Sequence, residues 1–191
     1  MDDRRARFNA LYRSNGDPWG FTVRPYEQMK YDVTLAALPR LRYARALEVG
    51  CSIGVLSEKL ASRCARFLGV DVSDEAIGMA RRRCRSSRNA SFNVTEVPRQ
   101  WPHAEYDLIV LSEILYFLTA AEVANVARLV ARDLERNGDC VLVNWLGHTD
   151  TTLTGEEAAG LFTEFLMAER SWWTCSSQVP PEYRVDVLTA R

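Results

Sequence analysis

Continuous apolar runs alternate with amphipathic stretches along most of this chain. Strands are predicted at Ala44 to Val49, Arg66 to Asp71, Ser91 to Val94, Tyr106 to Ser112 and Cys140 to Trp145. Between them, apolar positions recur at helical spacing over Val55 to Cys64, over Asp74 to Arg85, and from Val123 through Val126, Ala127, Val130 and Leu134 to Asn137-Gly138. Tyr106 to Ser112 is almost unbroken in its apolarity, which suits a strand covered on both faces. A helix over Gly155 to Ala168, with Leu161, Phe162, Phe165 and Leu166 on its apolar side, precedes two late strands near Arg170 to Ser176 and Tyr183 to Thr189, split by Pro180-Pro181. Such alternation predicts an α/β domain whose mostly parallel sheet carries helices on both faces. Ahead of it, helices near Asp3 to Tyr12 and Tyr26 to Ala37 flank a turn at Asn15-Gly16-Asp17-Pro18. Residues 1–40 therefore read as a helical lid on a core spanning 41–191, all within one domain.

The chemistry concentrates where the first two core strands end. Ala46-Leu47-Glu48-Val49-Gly50-Cys51-Ser52-Ile53-Gly54 is followed by Gly69-Val70-Asp71-Val72-Ser73, the pattern of a nucleotide-binding strand–helix–strand unit. Gly50 and Gly54 would let backbone approach a ligand without an obstructing Cβ. Asp71 lies 21 residues beyond Gly50, the spacing that sets a carboxylate on ribose hydroxyls. An adenosine-bearing cofactor follows. The dinucleotide pattern G-x-G-x-x-G is not present, and Glu48 at the strand tip would repel a pyrophosphate while suiting a ligand with ammonium and sulfonium charges, such as S-adenosylmethionine.

Composition narrows the partners. Basic and acidic residues number 24 and 25, for a formal net charge of −1, which gives no electrostatic reason to expect nucleic acid or a membrane surface as partner. The arginines at 81, 82, 83, 85 and 88 surround Ile77, Ala80 and Cys84 at helical spacing and read as a solvated helix face. Five scattered cysteines, with no C-x-x-C pair, suggest neither a zinc site nor a disulfide framework. No metal is expected. A charged N-terminus and the lack of a long apolar run make a cytoplasmic setting the expectation.

Glu48-Val49-Gly50-Cys51-Ser52-Ile53-Gly54 resembles the first signature of the class I S-adenosylmethionine-dependent methyltransferases, with Ser52 where glycine is more usual. The resemblance implies a Rossmann-like seven-stranded sheet with one antiparallel strand. It also implies that Glu48, Gly50, Cys51, Ser52 and Gly54 face the methionine end, Asp71 and Val72 the ribose, Glu96 the adenine amino group and Val97 its ring, with Ser112 at the neighbouring strand end. More narrowly, Asp17-Pro18-Trp19, Tyr26-Glu27-x-x-Lys30-Tyr31 with Thr34-Leu35, and Ser112-Glu113-Ile114-Leu115-Tyr116-Phe117-Leu118 resemble the nodulation protein S family of N-methyltransferases. That family methylates the free amine of a glucosamine unit on a chitin-like oligosaccharide. The resemblance implies an amino-sugar or glycan-type small acceptor, with S-adenosylhomocysteine as coproduct.

Methyl transfer from a sulfonium asks the protein chiefly for alignment and desolvation. Glu113 and Tyr116 follow the fourth core strand at the carboxyl edge of the sheet, where open α/β folds bind ligands, and His148 follows the fifth; these three are the candidates for orienting the nucleophile or taking its proton. Tyr12, Trp19 and Tyr31 could close over the site. Trp172 and Trp173 are adjacent, so on a strand at most one can line it. Three other readings stay open: a small-molecule O-methyltransferase, a non-catalytic cofactor-binding subunit, and a nicotinamide-dependent oxidoreductase. Oligomeric state is not legible.

Overall fold

The computed structural model describes residues 4–169, 172–178 and 182–190, the stretch 172–178 by its backbone alone. Helices α1 (Arg4–Ser14) and α2 (Pro25–Ala37) lead into β1 (Tyr43–Val49), α3 (Val55–Ala61), β2 (Cys64–Asp71), α4 (Asp74–Arg83), β3 (Ala90–Val94) and β4 (Tyr106–Ser112). A 3-10 turn at Leu115–Phe117 comes next, then α5 (Ala120–Asp133), β5 (Leu134–Trp145), α6 (Gly155–Glu169), β6 (Trp172–Gln178) and β7 (Tyr183–Ala190). The strands form one sheet in the order β3-β2-β1-β4-β5-β7-β6. β1 to β5 run parallel, whereas β7 is antiparallel to both β5 and β6. Chain order reverses between β1 and β4, and the diverging connections open a crevice at the carboxyl edge there.

Alternate strand residues divide the core between the two faces. Ala46, Leu108, Val110, Val141 and Val143 pack with the buried sides of α2, α3 and α4. Leu47, Ile109, Leu111, Leu142 and Leu188 pack with α5 and α6. Burying side chains such as Leu47, Ile109 and Phe162 stabilises the fold by about 1.5–3 kcal/mol each. Helix starts are locally encoded as well: the Ser73 hydroxyl accepts Ala76 N–H at the head of α4, and Thr119 and Glu122 form a reciprocal capping box on α5.

Two helix ends fall three or more residues before the sequence pattern places them, and β5 accordingly starts at Leu134 rather than Cys140. α3 stops at Ala61, because Ser62 and Arg63 turn the chain and Cys64 already pairs with Tyr43 at the start of β2. α5 stops at Asp133, whose carboxylate takes Trp101 Nε1 at 2.9 Å and pairs with Arg132, while Leu134 leaves for the sheet beside Tyr106. The Asn137-Gly138 pair then lies within β5, with Asn137 left-handed at φ 61°, rather than forming a helix cap. It accommodates the register shift between Tyr106 and Leu108. The Pro180-Pro181 turn and the side chains of Trp172 and Trp173 lie outside the described residues.

Candidate functional site

A cavity of about 750 Å³ occupies the crevice at the carboxyl edge, within the range of roughly 300–1,000 Å³ usual for ligand sites. Its walls come from α1, α2, the ends of β1 to β5 and the loop after β5. A small void of about 30 Å³ adjoins it behind Gly50 and Ser52.

At one end the site is built on backbone. Gly50, Ser52 and Gly54 have φ of 82°, 49° and 81°. The Gly50 and Cys51 N–H groups both donate to the Val70 carbonyl, at 2.9 and 3.0 Å, tying the loop after β1 to β2. A Cβ at Gly50 would collide with the Ile114 side chain and stand 2.6 Å from the Ser112 carbonyl oxygen. One at Gly54 would come within 3.0 Å of the Ala80 backbone on α4. Both glycines are thus required by the protein's own packing, in addition to any approach of a ligand.

Two acids lie against this loop. Asp71 lines the cavity and accepts the Ser52 and Ser73 N–H groups at 3.0 and 2.9 Å. Burial pushes its carboxyl up to about 6, opposed by those backbone donors. Glu48 is 1 % exposed and takes the Ser57 hydroxyl at 2.5 Å. Burial pushes it up to about 7, with Ser57 pulling down and Asp71 adding to the rise. Of the residues expected at the cofactor, Gly50, Ser52, Asp71, Val72, Glu96, Val97 and Ser112 line the cavity. Glu48 and Cys51 face the adjoining void instead, and Gly54 lines neither, being packed against α4.

The other end is built on side chains. Glu113, held at φ 58°, accepts Lys30 Nζ on Oε1 at 2.8 Å, and both the Tyr116 hydroxyl at 2.6 Å and the Trp145 N–H at 3.0 Å on Oε2. Lys30 is 3 % exposed and also pairs with Glu27 at 3.0 Å. Burial alone would lower the Lys30 pKa, but the two carboxylates outweigh it and the ammonium is held charged. Burial, reinforced by Glu113, lifts the Tyr116 phenol well above its ordinary value. Glu113 and Tyr116 therefore satisfy each other. His148 sits on the cavity rim, 89 % exposed, with Asp150 Oδ1 3.9 Å away.

Tyr12 and Trp19 line the cavity from the N-terminal extension, while Tyr31 is buried beside the small void. Sequence reasoning assigned no role to Glu27 and Lys30. Their signal was spacing: they share the buried face of α2 with Tyr31, Thr34 and Leu35, and charged residues on a core-facing stripe are seldom structural filler.

A family model for nodulation protein S matches residues 10–143. Nodulation protein S of Rhizobium tropici is 38% identical over 121 residues, covering 60% of this chain and 51% of that protein; the Bradyrhizobium diazoefficiens protein is 34% identical over 123 residues, covering 61% and 59%. The chain thus spans about half the length of these curated relatives. Among solved structures, a candidate methyltransferase from Pseudomonas syringae superposes with TM-score 0.76 at 31% identity, over 87% of this chain and 99% of that one. The N-methyltransferase NodS of Bradyrhizobium japonicum WM9, in complex with S-adenosylhomocysteine, shares the fold at TM-score 0.82 and 21% identity, over 99% of each chain. With the family model covering well over half of its length, the chain belongs to the nodulation protein S family.

Proposed function

We propose that this chain is an S-adenosylmethionine-dependent methyltransferase that methylates the amino nitrogen of an amino-sugar or glycan-type small acceptor. The observation that carries the cofactor reading is the pair of acids, Asp71 on the cavity wall and Glu48 beneath the Gly50 loop, at the crevice where the sheet order reverses. A carboxyl at either place does not suit a pyrophosphate, and a cationic nucleoside would favour the charged form of both. The residues present fit the group: Asp71 would hold the ribose, Glu96 and Val97 the adenine, and the Gly50 to Ser52 loop with Glu48 the methionine end.

Bound there, the cofactor supplies an activated methyl group on a good leaving group. The protein's share is to exclude water and orient the nucleophile. Phe8, Trp19 and Phe117 provide an apolar wall, with Phe8 edge-on to Phe117 at 5.2 Å. Glu113 is a poor base for the acceptor's proton, since the Lys30 ammonium pairs with it and three of its roughly four acceptor positions are taken. An oxygen acceptor, which needs its proton removed, is therefore poorly served at this end, whereas an amine that arrives neutral is not.

Calorimetric titration with S-adenosylhomocysteine and with NAD tests the cofactor; binding of NAD alone defeats it. Mass spectrometry after incubation with S-adenosylmethionine and matched amino and N-acetyl chitin oligosaccharides tests the acceptor. Methylation of the amino form only is expected, because an amide nitrogen's lone pair is delocalised. Methylation of both forms alike would point to a hydroxyl.

A further inference from the structure

Two buried polar atoms at the side-chain end lack a hydrogen bond among the described residues, the Tyr26 hydroxyl and Glu27 Oε2, and of these Glu27 Oε2 still faces the Lys30 ammonium at 3.0 Å. The Tyr26 hydroxyl is buried and, among the described residues, makes no hydrogen bond. Buried side-chain polar atoms nearly always find a partner, so an orphan beside a cavity calls for a ligand. Tyr26 lines that cavity together with Glu113, Tyr116 and Trp145. Its ring is fixed edge-on against Trp145 at 5.6 Å and Tyr183 at 5.7 Å, with the Lys30 ammonium 5.4 Å from its centroid. The neighbouring groups are largely committed: Tyr116 donates to Glu113, and Glu113 already accepts from Lys30, Tyr116 and the Trp145 N–H. A phenol has one donor and two acceptor positions, and none of them is used within the described residues.

We propose that Tyr26 is the residue that positions the acceptor: its hydroxyl takes a hydrogen bond from the acceptor's amino group and fixes the direction of the nitrogen lone pair, with no protein base involved. This rests on the methyltransferase reading above. The bookkeeping of the step is complete without a base. The nitrogen lone pair forms the new bond to the methyl carbon, the carbon–sulfur bond breaks with its electron pair remaining on sulfur, and the surplus proton on nitrogen leaves to water. The Lys30 cluster contributes through its charge. Two carboxylates, Glu27 and Glu113, surround one ammonium, so this end of the cavity carries a net negative charge that favours an amine turning into an ammonium and disfavours an oxyanion.

The test is Tyr26→Phe in the full chain, which keeps the ring against Trp145 and Tyr183 and removes only the hydroxyl. Three quantities are measured: the dissociation constant of S-adenosylhomocysteine by calorimetry, the thermal unfolding midpoint, and kcat and KM with a chitin tetramer carrying one terminal free amine. Affinity for S-adenosylhomocysteine should stay within about twofold, and kcat/KM should fall about tenfold, mostly in kcat, as for one lost hydrogen bond. The midpoint should hold or rise, because an unpaired buried hydroxyl has been deleted. An unchanged kcat/KM overturns the proposal. So does a fall of midpoint, cofactor affinity and activity together, which would make Tyr26 structural. A wild type that binds S-adenosylhomocysteine but leaves the amino tetramer unmethylated removes the acceptor and this proposal with it, whereas a wild type that does not bind S-adenosylhomocysteine defeats the underlying methyltransferase reading.

Discussion

The two ends of the cavity are made differently. Around Gly50, Ser52 and Asp71 the chain uses backbone: left-handed loop residues, N–H groups aimed at a carboxylate, and glycines pressed against neighbouring segments. Around Lys30, Glu113 and Tyr116 it uses side chains delivered from α2 and from the turn after β4, more than 80 residues apart in the case of Lys30 and Glu113, with one backbone N–H from the end of β5. A backbone-built site depends on local conformation and changes little when a surface residue does. A site made of interlocked side chains stands or falls as a unit.

Replacing Lys30 tests that contrast most severely. Lys30→Met leaves Glu27 and Glu113 facing each other without a cation, and breaking a buried ion pair costs about 3–5 kcal/mol. Urea unfolding should show that loss, while S-adenosylhomocysteine affinity of the folded fraction stays close to wild type. A loss confined to activity would mean that the cluster does not hold α2 in place. Gly50→Val comes next. The clash with Ile114 and the left-handed φ should together destabilise by roughly 3 kcal/mol. Intact stability with lost cofactor binding would return Gly50 to the role of a ligand-facing glycine.

Smaller effects sharpen the picture. Asp71→Asn should weaken S-adenosylhomocysteine binding by about tenfold, the worth of a charged hydrogen bond, without altering the KM for the acceptor; calorimetry and steady-state kinetics separate the two. Glu48→Gln should act through pH. The native Glu48 carboxyl titrates near 7 against an ordinary 4.5, so the folded state holds its proton more tightly and the wild type loses stability as pH rises between those values. The variant lacks that loss. Its melting midpoint relative to wild type should therefore be higher at pH 8 than at pH 5, and a difference independent of pH would show that Glu48 is not held protonated by burial.

How far each end was legible follows from the same contrast. Glu48, Gly50 and Asp71 declare themselves in sequence because strand, turn and helix place them within one short unit with fixed spacing. β4 declared its two-sided burial through unbroken apolarity. The pairing of Glu113 did not show, because no local pattern says that Lys30 from a distant helix or the Trp145 N–H will reach it. The end of α5 was misplaced for a related reason. Asn137-Gly138 has the composition of a helix cap, but the sheet's demand for Leu134 beside Tyr106 overrode it. His148 lines the cavity only at its exposed rim, because the β5 strand ends before it and gives it nothing to lean on.

A closed circuit of hydrogen bonds joins the helical extension to the cofactor end. Tyr12 OH meets Ser52 Oγ, the Ser52 N–H reaches Asp71, Asp71 takes the Ser73 N–H, and the Ser73 hydroxyl returns to Asn9, one turn from Tyr12 on α1. The loops after β1 and β2 are consequently set in one arrangement by folding itself, so little conformational entropy remains to be lost when a ligand settles there. Affinity at that end is therefore heritable through Asn9 and Tyr12 as much as through any residue that touches the ligand, and exchange of α1 between relatives would carry binding strength with it.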